Sequence, residues 1–570
     1  MSTPQTGAGL ICETLHALGV DCVFGLPGTQ NVTLYEALRT SALRTVVATN
    51  ELSAAMMANG YYRASGRLAA VATIPGPGFT WAMTGVAEAY LDSAALLHLV
   101  GQPATAPGER FQLQAIDQAA MAGAVVKSVQ PIEQAQAITS ALAAAHAQAL
   151  GGEPGPILVH IARKVLDQRV AGSTLPLSAS PIAVDRSDVA NVARALAAAK
   201  RCVVLAGQGS FGAADLVERL VERLSAAVVT TTSGRGVVAE DHSLSLGFEL
   251  GGTGAATLNA LIAAGDAVLA IGCKFSHNAS RGFRLRIPQD KLIHIDASAD
   301  VLNANYPARL AICADARAFL AELLTGLDAQ DVHQGGFGAA EIADFRERGR
   351  TEGAGEHVEP RIHGVPGGSP EAFFAALRRV MPRASCLVTD SGLHQVLARR
   401  HFRVLHPRGF ITPTNLQSMG FAIGAAIGAC LADRERPVVA LIGDGGLAMS
   451  GLELLTAVRE RLRLTVIVFV DGAYGLIRAQ QLDESGHAFG TEFSGPDIAA
   501  LAETVGAAHS CLRDDPDAVL RAALESGGVT IVEVALGDSL PMHWMHAKGV
   551  ARGMLGPTTK AWLQRLLHRN

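Results

Sequence analysis

With 570 residues, 49% of them hydrophobic, the chain is long enough for about three domains that each bury a core. Its net charge of −5 leaves no footprint for a nucleic acid, and no uncharged apolar run reaches membrane length. Eight scattered cysteines (Cys12, Cys22, Cys202, Cys273, Cys313, Cys386, Cys430 and Cys511) form no CxxC pair, and Met1 to Gly9 lacks a basic and apolar leader; the expectation is a soluble cytoplasmic protein with reduced thiols, without a disulfide frame or zinc site.

Alanine-rich helical segments alternate with valine-rich runs, the pattern of doubly wound parallel sheets. The first block, residues 1–170, contains a strand at 45–49 that gives way to a helix with small residues on one side. Glu51 stands at that junction, where its carboxylate projects into a cleft at the sheet edge; an acid there also simply favours the helix dipole. The run 156–161 reads as the last strand of this block. The second block, 186–328, opens on a strand at 201–206 followed by Gly207-Gln208-Gly209-Ser210-Phe211-Gly212, which satisfies GxGxxG and taken alone suggests a dinucleotide turn. The next strand, 227–232, ends without the acid that would hold a ribose, so a nicotinamide cofactor is not expected. Residues 329–369 are Gly-rich and charged and read as a linker. The third block covers 370–540. In the tail, 541–570, Met542, Trp544 and Met545 read either as a lid or as a docking patch for the last helix.

The third block carries the most informative pattern. An apolar strand at 437–442 leads into Gly443-Asp444-Gly445-Gly446, a helix is predicted over 452–462, and a β-branched strand at 464–470 leads into Asp471-Gly472-Ala473. A right-handed crossover returns the second strand parallel to the first, so Asp444 and Asp471 emerge at one carboxyl edge of the sheet and can share a cation. The helix between them turns its free N–H groups toward an anion held by that cation. Mg²⁺ suits two carboxylates, and the backbone carbonyl of Ala473 offers a third ligand. Many strand-helix-strand units carry an acid at a strand end without binding metal.

Further patterns lie far from this one: Val23-Phe24-Gly25-Leu26-Pro27-Gly28-Thr29-Gln30, the stretch from Asn50-Glu51 to Gly66, Thr73-Ile74-Pro75-Gly76-Pro77-Gly78, and Thr84 to Ser93. In order and spacing, these and the Asp444/Asp471 pattern resemble the acetohydroxyacid (acetolactate) synthase and pyruvate oxidase superfamily of thiamine diphosphate enzymes. The resemblance covers almost the whole chain. It implies three α/β domains: one that binds the cofactor's pyrimidine, a central Rossmann-like domain, and one that binds the diphosphate and Mg²⁺. Asp471 takes the position of the second of two family asparagines, Val470 that of the first.

By this resemblance Glu51 is catalytic: it hydrogen-bonds the aminopyrimidine nitrogen and promotes the imino tautomer that takes the thiazolium C2 proton. Such a task needs one carboxyl group in a dry pocket. The metal ligands would be Asp444, Asp471 and Ala473. Gly25, Pro27, Gly28, Thr73 and Gly76 would meet the cofactor from the first domain. From the third would come Gly392 and His394, Gln417 and Met419, Gly443, Gly445, Gly446 and Leu447, and Ala473, Tyr474 and Gly475. Met419 would be the wedge that bends the cofactor, or an ordinary core methionine; His394 would touch phosphate, or only cap a helix.

The implied reaction is decarboxylation of a 2-oxo acid followed by ligation of the enamine to a second carbonyl compound. Simple 2-oxo acid decarboxylation or cleavage of another C–C bond is the alternative, and a flavin-dependent oxidoreductase using the middle block is a further one. Several positions depart from the pattern. Asn50 replaces a histidine, Trp81 an asparagine and Leu113 a phenylalanine, and adjacent histidines, the mark of simple pyruvate-type decarboxylases, are absent. Gly272-Cys273-Lys274-Phe275-Ser276-His277 lacks the aspartate pair of FAD-binding synthases, so tightly bound FAD is not expected. Substrate contacts fall to Thr29, Gln30, Gln114, Trp81 and Trp544, with Gln30 either a hydrogen-bond donor or a solvent-side turn residue. The superfamily builds each site from two subunits, which implies a homodimer or homotetramer in which Glu51 and Asp444 of one site come from different chains.

Overall fold

The computed structural model describes residues 5–103, 110–170, 184–248, 255–329, 335–352, 359–513 and 515–537; Trp544 and the rest of the expected lid lie outside them. Three parallel sheets follow one another along the chain. In the first, the strand order is Arg44–Val47, Cys22–Gly25, Ala69–Thr73, Leu96–Gly101, Pro156–Ile161, Ser128–Ile132. The central sheet is ordered Ser245–Gly247, Ala227–Thr230, Cys202–Ala206, Ala267–Ile271, Leu292–Asp296, Leu310–Cys313. The third runs Arg361–Ile362, Val529–Gly537, Leu464–Val470, Val438–Gly443, Cys386–Thr389, Phe410–Ile411, with Ala508–Cys511 also paired to Val529–Gly537. Every pair in these sheets is parallel except the short antiparallel edge of Arg361–Ile362 on Val529–Gly537. Strands buried on both faces explain the continuous Val/Ile/Leu runs. No helix among the described residues is long and apolar enough to cross a membrane.

Within 329–369, the described residues 335–352 and 359–369 are more structured than a linker. The helix Ala339–Glu352 packs Ile342 and Phe345 into the central core, and Arg361–Ile362 joins the third sheet. The segment is thus divided between two domains, because three aromatic or branched residues (Phe337, Ile342 and Phe345) suffice to anchor it where periodicity is weak.

The first and third domains share one apolar core. Helix Glu51–Ser65 crosses helix Phe421–Ala432 at near backbone contact. A Cβ on Gly60 would lie 2.0 Å from the Ala425 carbonyl oxygen, and one on Gly428 would lie 1.9 Å from that of Met57. Both obstacles are backbone, so neither can rotate aside. Gly428→Ala is expected to cost about 2 kcal/mol or more by forcing the helices apart, read as a lower urea midpoint; an unchanged midpoint would show that the crossing is compliant.

Candidate active site

The strand Val438–Gly443 runs directly into a helix over Asp444–Ser450, then a 3₁₀ turn Gly451–Glu453 and a helix Leu454–Arg459. The single helix predicted over 452–462 is therefore earlier and broken. Gly445 and Gly446 are poor helix formers, yet both are helical, and neighbouring side chains leave little room for a Cβ at either. A Cβ on Gly446 would lie 2.5 Å from Asp390 Oδ2, and one on Gly445 2.9 Å from the Tyr474 ring.

Val438–Gly443 pairs parallel with Leu464–Val470, Gly443 beside Phe469, so Asp444 and Asp471 do leave the sheet at the same edge. Asp444 is buried, and its two oxygens accept backbone N–H bonds from Gly445 (2.9 Å) and Gly472 (2.8 Å). Asp471 Oδ1 accepts from Ala473 N at 3.2 Å. Burial raises the pKa of Asp444; burial and then the charge of Asp444 push Asp471 up to about 6. Two carboxylates that resist ionising together are suited to a shared divalent cation.

Beside them His394 is buried and hydrogen-bonded to the Asp390 backbone, while its Nε2 has no partner. Burial lowers its pKa to about 4, so the imidazole is neutral. Gly392 and Gly443 flank the ring closely; a Cβ on Gly392 would stand 2.8 Å from it. With Met419, Gly445, Gly446, Ala473, Tyr474 and Gly475 these residues line a cup of about 110 Å³. That volume is on the scale of a diphosphate and its metal. The orphaned imidazole nitrogen, the paired acids and the side-chain-free glycines fit such a group.

The second cluster lies at the edge of the first sheet. Asn50 is the N-cap of helix Glu51–Ser65, its side chain accepting from Ser53 N at 2.8 Å. Glu51 follows as the first helical residue, and a Cβ on Gly78 would lie 2.8 Å from its Oε1 and from Ile74 Cγ1. Gly76, at φ +66°, packs equally tightly on Gln114, whose Oε1 is buried without a partner. The Tyr35 hydroxyl adjoins Gly25, and its pKa is raised by burial and by the negative charge of Glu51. Asn31 fixes the Leu26-to-Gly28 turn, accepting from Gly28 N (2.8 Å) and donating to the Leu26 carbonyl (3.1 Å).

The chain matches three thiamine pyrophosphate enzyme models: the N-terminal TPP binding domain over residues 5–121, the central domain over 189–323 and the C-terminal TPP binding domain over 390–534. The chain belongs to the thiamine pyrophosphate enzyme family. It is 29% identical to a probable acetolactate synthase large subunit of Methanocaldococcus jannaschii over 558 residues, covering 94% of this chain and 93% of that one. It is 30% identical to the acetolactate synthase isozyme 2 large subunit of Escherichia coli (95% and 97% covered) and to a probable 2-ketoarginine decarboxylase of Pseudomonas aeruginosa (93% and 94%). The protein is thus an acetolactate synthase-like, thiamine pyrophosphate-dependent enzyme of the decarboxylase and carboligase kind.

Within this thiamine pyrophosphate enzyme Glu51 is not among the residues that line the cup around Asp444. Some expected contacts also serve other ends. Thr73 is buried and its hydroxyl bonds His98 Nε2 (2.9 Å), a ring stacked on Phe79, so its side chain faces the sheet interior. Leu447 packs in the shared core and does not line the cup. Gln417 donates to the Thr414 carbonyl at 3.0 Å and also stands off the cup. Pro27 and Thr29 are exposed, Gln30 is half-buried, and Trp81 is 63% exposed. In the central domain, Gly207 and Gly209 pack against the Gly272 backbone, which accounts for two of the three motif glycines by close approach. A cavity of about 630 Å³ adjoins them, between all three domains.

Sequence reasoning missed the residues that hold the site's loops. Asp390 is fully buried and accepts from the backbone N–H groups of Ser391, Gly420 and Phe421, which fixes the turn behind Met419; burial pushes its pKa up to about 7. Glu453 receives the Thr49 N–H two residues before Glu51. Asp92 accepts from Thr414 and pairs with Arg63 at 2.8 Å, and Glu88 accepts from Ser418 N at 2.8 Å. The only signal for such residues is an acid inside an apolar stretch.

Burial and then the neighbouring Asp92 push Glu88 up to about 7. Because folding raises this pKa, releasing the proton costs more in the folded chain; the group's contribution is full below the ordinary carboxylate pKa and lost as pH rises through about 7. Glu88→Gln keeps an acceptor for Ser418 and is expected to raise the thermal midpoint by about 2 °C at pH 8 with no gain near pH 5. An equal shift at both pH values would show that the charge is not the cause.

Proposed function

We propose that this enzyme decarboxylates a 2-oxo acid and joins the remaining fragment to a second carbonyl compound, with thiamine diphosphate and Mg²⁺, at a site shared by two subunits. The observation that supports this reading is the presence in one chain of two complementary features, a carboxylate beside a narrow apolar cleft and a metal-diphosphate cup whose lining does not include that carboxylate.

Thiamine diphosphate, when bound, supplies a carbon acid whose ylide form adds to a ketone and accepts the electrons left by CO₂. Asp444, Asp471 and the Ala473 carbonyl would hold Mg²⁺; the neutral ring of His394 gives its one proton to the Asp390 backbone, so its Nε2 would donate to the diphosphate only once the bound anion had drawn a second proton onto the ring. The first turn of Asp444–Ser450 adds free N–H groups at the same place. Met419, at the cup's rim, would support the bend between the rings. Glu51 would hold or release one proton at the pyrimidine nitrogen, in a cleft that Ile74, Gly78 and Tyr35 keep narrow.

The two-subunit arrangement is supported by apolar side chains left uncovered near both half-sites: Trp81, Phe111 and Leu113 on the first domain, Met449, Leu452 and Ile477 on the third. A second subunit would bury them and dry the site at once. A simple decarboxylase remains the alternative reading, since a 2-ketoarginine decarboxylase resembles this chain as closely as the synthases do.

The test is a panel of 2-oxo acids, pyruvate first, with thiamine diphosphate and Mg²⁺, following CO₂ and ligated product. Cofactor-dependent CO₂ release with a 2-hydroxy ketone or acetohydroxy acid is expected. CO₂ with only the free aldehyde would establish the simple decarboxylase. No turnover with cofactor bound would sink the decarboxylation reading.

A further inference from the structure

The edge of the third sheet gathers a second set of ligating side chains, separate from the cup. Strand Ala508–Cys511 pairs parallel with Val529–Gly537, and Cys511 stands beside Glu533 in register. Alternation puts His509 and Cys511 on one face of their strand, and the register puts Glu533 on the same face. His509 Nε2 is 3.2 Å from Glu533 Oε2, and Cys511 Sγ is 4.0 Å from His509 Nε2 and 3.9 Å from Glu533 Oε2. It is the one group of three His, Cys, Asp or Glu donors among the described residues whose ligand atoms all lie within 4.8 Å of one another.

We propose that His509, Cys511 and Glu533 form a binding site for a zinc-like divalent transition ion, with the fourth position left to water. The geometry is the first support. A tetrahedral zinc ion bonds sulfur at about 2.3 Å and nitrogen or oxygen at about 2.0 Å, which sets the N···O edge near 3.3 Å and the two sulfur edges near 3.5 Å. All three observed separations are within about 0.5 Å of those edges, so closure needs only small side-chain rotations. The chemistry is the second. One thiolate, one imidazole and one carboxylate favour zinc over Mg²⁺, whereas the carboxylates at Asp444 and Asp471 favour the reverse. Access is the third: the His509 and Glu533 side chains are 21% and 32% exposed, shielded enough to strengthen a bond and open enough for an ion to enter.

Such an ion would clip the edge strand Ala508–Cys511 to Val529–Gly537, whose far end supplies Leu536 to the wall of the cup. Cysteine spacing gave no hint of the site. Two ligands sit two residues apart and the third 22 residues beyond Cys511, joined only by strand pairing.

The test uses the full-length protein, already saturated with thiamine diphosphate and Mg²⁺, titrated with Co²⁺ as an optical stand-in for zinc. One equivalent of a near-ultraviolet thiolate-to-cobalt charge-transfer band is expected, displaced by Zn²⁺. Cys511→Ser should abolish the band, and Glu533→Gln, which keeps the side-chain volume, should weaken Co²⁺ binding at least about 10-fold; circular dichroism checks that both variants are folded. No band in the wild type, or a band that survives Cys511→Ser, would overturn the proposal and leave a His509–Glu533 ion pair with a neighbouring thiol.

Discussion

Glu51→Gln is expected to lower kcat by about 10²- to 10⁴-fold, the range for loss of a positioned acid-base group, while thiamine diphosphate still binds in the cup. The substitution preserves size and hydrogen bonding but removes the exchangeable carboxyl proton. Asn50 caps the helix independently of Glu51, so the fold should not suffer. Cofactor binding by calorimetry and single-turnover CO₂ release separate the two effects. A variant that binds cofactor and turns over at the wild-type rate would reduce Glu51 to a residue that merely favours the helix dipole. The same variant tests the shared site. Mixed with Asp444→Ala subunits under conditions that exchange chains, it should regain up to about a quarter of wild-type activity, since half the random dimers are mixed and each mixed dimer has one intact site. No recovery in a mixture shown to contain mixed dimers would place Glu51 and Asp444 of one site on one chain.

The second large effect is expected at the cup. Loss of an outer partner of a metal ligand costs about 10- to 100-fold in affinity, so Asp444→Ala, which removes a ligand outright, should weaken cofactor binding by at least about 100-fold. It also frees the Gly472 N–H from its 2.8 Å bond, which loosens the turn carrying Asp471 and Ala473. Chelation of Mg²⁺ from the wild type should release the cofactor to a similar extent, whereas the chelator should add nothing to the loss in Asp444→Ala. If chelation weakened both proteins equally, the metal would lie elsewhere. In Asp471→Asn, a neutral oxygen remains and the burial cost of a second charge is removed. A loss smaller than in Asp444→Ala is therefore expected.

What these experiments address was legible in the sequence to different degrees, for physical reasons. The alternation of small-residue helices with β-branched runs, the strand Leu464–Val470 and the glycines beside Asp444 all follow from local pattern, and local pattern is what a parallel sheet buried on both faces imposes. Two acids at adjacent strand ends must emerge together, because the crossover has one hand. The early start of the helix at Asp444 was not legible, since glycine propensity argues against a helix there, and only the closeness of Asp390 and Tyr474 shows why glycines occupy its first turn. Nor was the role of residues 335–352, where Ile342 and Phe345 gain their meaning from the central core they fill.

By itself, then, the sequence determined the three-sheet architecture and the placing of Asp444 and Asp471 at one sheet edge, because these are encoded in local pattern and in spacing along one crossover; Glu51 as the acid to test came from the resemblance of whole motifs to a family. Only the tertiary structure decided which side chains face the cup. Thr73, Leu447 and Gln417 turn elsewhere, while Asp390, Glu453, Glu88 and Asp92 reach across tens to hundreds of residues to hold its loops. Such contacts depend on where a buried acid finds N–H donors, and that is a property of packing between domains, which no local spacing records.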